Sequence, residues 1–172
     1  VRHAARRRWR PVDPASLMRL LVIAAGTRLP SWVNEGFAEY ASRLTGEYRL
    51  ELKEIPLGQR GSGDARQALA KERDRMLAAL PARSYVVAMQ VQGRALTSEQ
   101  LAKFLEARAR DGRDVAFCIG GPDGLPQELD ARADYRWSLS ALTLPHALVR
   151  VVLAEALYRA VTIIKGHPYH RA

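Results

Sequence analysis

Three short runs constrain this chain more than anything else in it. Met18 to Ala25, Ser84 to Val91 and Asp114 to Gly120 are apolar at almost every position rather than at every second one. A strand with one wet face alternates, whereas a strand covered on both faces does not. The first run ends at Gly26 and Pro30 and the last at Gly120-Gly121, so each reads as a buried strand closed by turn residues. Tyr48 to Ile55 alternates imperfectly and reads as a further strand. Between the strands lie helical periodicities. One runs from Ser31, read as its cap, to Leu44, with Trp32, Phe37, Tyr40 and Ala41 on one face. A second covers 65–80 on Leu69, Met76, Leu77 and Leu80, and a third covers 98–110 and stops at Asp111-Gly112. Strands alternating with helices of this length predict an α/β fold, a mostly parallel sheet flanked by helices.

The segment from Pro145 to Ile164 is helical in period but apolar over most of its circumference, from Leu148, Val149, Val151 and Val152 to Val161, Ile163 and Ile164. Such a helix needs cover on all sides, and in a small protein a second copy supplies it, so a two-fold homodimer is expected. With 172 residues, 48% of them hydrophobic, the chain has enough for one core. Residues 18–172 are therefore expected to form a single domain. Residues 1–17 carry five arginines against one aspartate and read as a disordered basic tail or an over-extended gene start. The net charge of +9 points to a polyanionic partner, nucleic acid first. No run is long and apolar enough for a membrane span, and one cysteine, Cys118 in an apolar run, suits a reducing cytoplasm. The four histidines have no acidic or cysteine cluster beside them, so no metal site is expected.

The chemistry-bearing residues concentrate in the last third. Gly120-Gly121-Pro122-Asp123-Gly124 follows a strand, where bare backbone can approach a ligand. It is neither a G-x-G-x-x-G fingerprint nor a P-loop, and by itself it reads better as a plain tight turn. Leu139 to Leu144 leads into the last helix, and the chain closes on His167-Pro168-Tyr169-His170-Arg171, which alone would pass for a fraying end.

In order and spacing, the blocks Met18 to Thr27, Ile119 to Gly124, Trp137 to His146 and His167 to Arg171 resemble the large-subunit ribosomal RNA methyltransferase H family of the SPOUT methyltransferases. The resemblance covers nearly everything after the first seventeen residues. It implies an α/β knot, with a trefoil knot in the C-terminal half. It also implies methyl transfer from S-adenosyl-L-methionine to N3 of a pseudouridine in 23S ribosomal RNA, on the ribosome, leaving S-adenosyl-L-homocysteine. Carried over residue by residue, it assigns the cofactor to Met89, Gly120, Leu139, Ser140, Ala141, Leu142, Thr143 and Leu144. It assigns the chemistry to Tyr169, His170 and Arg171, with His170 as candidate base and Arg171 for phosphate or an oxygen anion. His146 and Arg150, at the start of the last helix, are further candidates for RNA contact or for helix-end packing, and Arg60 and Arg66 for contact with RNA phosphate. The competing expectation is a non-catalytic RNA-binding or ribosome-assembly factor with the same fold.

Overall fold

The computed structural model describes residues 17–59 and 64–171. The basic tail over residues 1–16, and Arg60 in the glycine-rich loop, lie outside them. Five strands, β1 (Met18–Ala25), β2 (Tyr48–Ile55), β3 (Tyr85–Ala95), β4 (Val115–Ile119) and β5 (Tyr135–Ser138), form one sheet in the order β2-β1-β4-β3-β5. Every pairing is parallel, as the continuous apolar runs require. Five helices accompany them: α1 (Ser31–Ala41), α2 (Ala65–Ala79), α3 (Ser98–Arg110), α4 (Gln127–Arg132) and α5 (His146–Lys165), followed by a 3-10 turn over Pro168–Arg171.

The helices divide between the two faces of the sheet. Phe37 of α1, Leu101 and Leu105 of α3 and Leu153, Leu157 and Val161 of α5 pack on Leu20, Val22, Val87, Phe117 and Trp137. On the other face Met76 of α2 and Leu129 of α4 pack on Ile23, Ile55, Val86, Ala116 and Cys118. Successive residues of β4 thus feed opposite cores, and all five of its residues are buried.

Three sequence expectations need adjustment. Helix α1 opens on Pro30, with no side-chain cap, so Ser31 is its first helical residue rather than its cap; proline's fixed φ suits that opening. Trp32 does not share the inner face with Phe37 and is 50% exposed, because Val33, four residues before Phe37, takes the buried position. The helix also stops at Ala41, and Leu44 reaches the core from the turn that follows.

Helix α5 is buried within one chain along a stripe of Arg150, Leu153, Ala154, Leu157, Ala160, Val161 and Thr162. Its remaining apolar residues, among them Leu148, Val149, Val152 and Ala156, are only partly covered.

Candidate active site

In a parallel sheet the carboxyl ends of the strands are the natural place for a ligand, since the connecting loops leave backbone groups free there. A cavity of about 520 Å³ lies at that end, between β3, the turn after β4 and the loop joining β5 to α5. Met89, Gly120, Leu139, Ser140, Leu142, Thr143 and Leu144 all line it; Ala141 shares the loop without lining the cavity. Residues to which the sequence reading assigns no ligand complete the wall: Gln90, Val91, Ile119, Leu125, Trp137 and Val149.

Each wall has a local cause. The register between β3 and β5 breaks between Met89 and Arg94, and this bulge turns Met89, Gln90 and Val91 toward the cavity. Gly93 permits it, since a Cβ there would stand 2.7–2.8 Å from backbone atoms of Arg136 and Trp137. The Ser140 hydroxyl accepts from the Leu142 amide at 3.0 Å, and the Ser138 hydroxyl donates to the Ser140 carbonyl at 2.8 Å, which folds the loop on itself. At Gly120 the requirement differs from the one read in the sequence. A Cβ there would lie 2.4 Å from the Gly124 carbonyl carbon and 2.5 Å from the Leu125 nitrogen. The close approach that demands glycine is therefore the turn's own backbone, with Gly124 held at φ +80.

One turn of α5 beyond the cavity lies the largest fully buried side chain among the described residues. Arg150, 0% exposed, donates from Nη1 to Glu54 Oε1 at 2.7 Å and from Nη2 to the carbonyls of Ala25 and Gly26 at 3.1 and 2.7 Å. It thereby ties α5 to the ends of β1 and β2, a role in the interior rather than at an RNA surface. One turn earlier His146 lines the cavity, and burial, with the Arg150 guanidinium second, holds its imidazole below the usual histidine value. Arg66 is exposed at the start of α2, where its backbone amide donates to Asp64.

The terminal motif does not line the cavity of its own chain. Its 3-10 turn folds back on α5, where the Tyr169 ring lies 4.7 Å from that of Tyr158 and under the Arg159 guanidinium. The Tyr169 hydroxyl donates to Glu155 Oε1 at 3.1 Å, about 13 Å along the helix axis from His146 at 1.5 Å per residue. Burial first, then the Glu155 carboxylate, pushes Tyr169 up to about 12, so it is a donor at neutral pH and not a base. His170 Nδ1 finds no hydrogen-bond partner among the described residues, and Arg171 is exposed. Burial pushes the Cys118 thiol up to about 12, which removes it as a nucleophile. No set of three His, Cys, Asp or Glu side chains among the described residues is placed to hold a metal, and none of the helices there is long and apolar enough to cross a membrane.

A family model described as predicted SPOUT methyltransferase matches residues 18–170. The ribosomal RNA large subunit methyltransferase H of Stenotrophomonas maltophilia (strain K279a) is 56% identical over 156 residues, 90% of this chain and 100% of that protein. Its counterpart in Alkalilimnicola ehrlichii is 55% identical over the same shares, and that of Pseudomonas fluorescens Pf-5 is 50% identical over 155 residues, again 90% and 100%. Among solved structures, a probable methyltransferase from Bordetella pertussis Tohama I has a TM-score of 0.52 at 16% identity, over 86% of this chain and 96% of that one, a likeness of fold.

Proposed function

Because the chain belongs to the SPOUT methyltransferase family, and within it to the ribosomal RNA large subunit methyltransferase H proteins, we propose that it methylates N3 of a pseudouridine in 23S ribosomal RNA. The observation that carries this reading is the cavity. Its walls are the glycine turn, the bulged end of β3 and the Leu139 to Leu144 loop, the segments the resemblance assigns to S-adenosyl-L-methionine. Size and lining suit an adenosyl group: Met89, Leu139, Leu142 and Leu144 offer apolar walls, and the turn offers backbone polar groups. When bound, that cofactor supplies a methyl group already activated on a sulfonium, and S-adenosyl-L-homocysteine remains. The chain's own work is to orient the target base, exclude water and take the proton from N3. His170 and Arg171 are the groups we assign to the base and to phosphate or a developing oxygen anion, with Tyr169 holding the turn against α5.

Those groups lie away from the cavity in one chain, so the reading includes a two-fold dimer in which the tail of one copy completes the cavity of the other. An apolar surface supports it. Val91 and Leu142, 47% and 70% exposed, rim the cavity, and Leu148, Val149 and Val152 continue it along α5. The knot implied by the family belongs to the same reading, as does action in the cytoplasm on the assembled ribosome, where a small domain finds more contact surface than on a bare hairpin. Mass mapping of ribosomal RNA from cells with and without the gene is the test. Loss of one methylated pseudouridine in 23S RNA is expected, and unchanged RNA together with no binding of S-adenosyl-L-methionine in calorimetry would favour a non-catalytic assembly factor.

A further inference from the structure

The cavity wall contains one titratable side chain among the described residues, His146; no Asp, Glu, Lys, Arg, Tyr or Cys lines it. The charges around that imidazole can be named. On α5 the next turn brings Arg150, fully buried, with the backbone of Gly26 between the two: a Cβ on Gly26 would stand 3.4 Å from Arg150 Nη2 and 3.9 Å from His146 Nε2. From β2 comes Glu54, engaged by Arg150 at 2.7 Å, and the end of β1 brings the uncharged Ala25 and Gly26. From the side of the glycine turn come Glu72, 1% exposed and accepting from the Gly58 amide, and the exposed Asp123, which has a partner of its own. A pocket wall without a carboxylate therefore stands over a buried cation, and within one chain only His146 in that wall can change its charge. In the dimer proposed above, His170 of the second copy also faces the cavity, and His146→Gln separates the two.

We infer that His146 makes the cavity selective between cofactor and spent product: as a neutral ring it accepts a sulfonium, and as a cation it disfavours the sulfonium while leaving a thioether unaffected. This rests on the reading of the cavity as the S-adenosyl-L-methionine site. The two ligands share adenosine, carboxylate and ammonium and differ by one methyl and one positive charge, so the charge state of the wall acts on their ratio. The neutral form dominates at neutral pH because burial and Arg150 both oppose protonation. At an effective dielectric constant of about 20, two like charges held in one cavity shift a binding constant by about tenfold or more.

Calorimetry on the full chain, with each ligand between about pH 7 and pH 5, tests this in a window where both ligand ammonium groups stay charged. As the pH falls, the dissociation constant for S-adenosyl-L-methionine should rise relative to that for S-adenosyl-L-homocysteine, approaching about tenfold only as His146 gains its proton. The ratio should stay flat in His146→Gln. A second reading needs no variant: in buffers of different ionisation enthalpy, binding the sulfonium should release more protons near the low end than binding the thioether, by the added repulsion of its charge. A constant ratio in the wild type, or the same drift in His146→Gln, overturns the inference. If neither ligand binds at any pH, the cofactor assignment itself falls and the inference falls with it.

Discussion

At the scale of single residues, the two positions with least freedom are Gly120 and Arg150. Adding one methyl at Gly120 drives a Cβ into the Gly124 carbonyl carbon at 2.4 Å, a contact with backbone that cannot rotate away. Gly120→Ala should therefore cost about 1–3 kcal/mol and lower the melting temperature as well as weaken S-adenosyl-L-methionine binding. Lost affinity with unchanged melting would show that the glycine serves the ligand alone. Arg150 is a different case, a buried guanidinium paired with Glu54, whose side chain is 29% exposed, and with its carbonyl partners already in place. Arg150→Met would leave Glu54 partly solvated and the Ala25 and Gly26 carbonyls without their donor, so a loss of about 1–3 kcal/mol is expected in denaturant unfolding. Arg150→Lys should recover part of it. From sequence, Arg150 stands out only as a cation in an apolar helix. Its partners sit 96 and about 125 residues away, and no local pattern encodes such a meeting.

Among the elements, the terminal turn and the β3 bulge separate what a sequence can state from what it cannot. Truncation after Gly166 removes the Tyr169 contacts with Tyr158 and Glu155, worth about 1 kcal/mol, and leaves the cavity wall intact. Cofactor affinity should survive, while methylation of ribosomes falls by about 10²-fold or more, measured as methyl incorporation. Near wild-type incorporation would reduce the terminal motif to packing on α5. Strands β1, β3 and β4 are legible as continuous apolar runs, and β2 and α3 because each is long enough for its pattern to repeat. Helix α3 runs from Ser98 to Arg110, behind a Thr97–Gln100 capping box. Strand β5 is not legible, since four residues, Tyr135–Ser138, carry no period. Gly93, an isolated glycine in a strand, was the available signal for the bulge, and with it for Gln90 and Val91 in the wall. The candidate site was readable as loops through the family's motifs. That the terminal motif lies apart from those loops was not, because chain order says nothing about which face of α5 the turn settles on.

For the whole molecule, the separation of tail and cavity makes the proposed dimer testable by complementation. A tail-truncated chain and a Thr143→Trp chain, which fills the cavity from an exposed loop position, should each be inactive alone. Mixed and refolded together they should recover about a quarter of wild-type methylation, since half the dimers then hold one complete site. No recovery, with mixed dimers shown to form, would place tail and cavity in the same chain's site or in none. The bond from Arg150 to the far end of β1 has one more consequence, and it concerns time. Every sheet pairing here joins distant segments, a topology that folds slowly. The cation that closes the ends of β1 and β2 is carried by α5, 96 to 125 residues further along the chain, so in a nascent chain the Ala25 and Gly26 carbonyls must wait for that helix before they are satisfied.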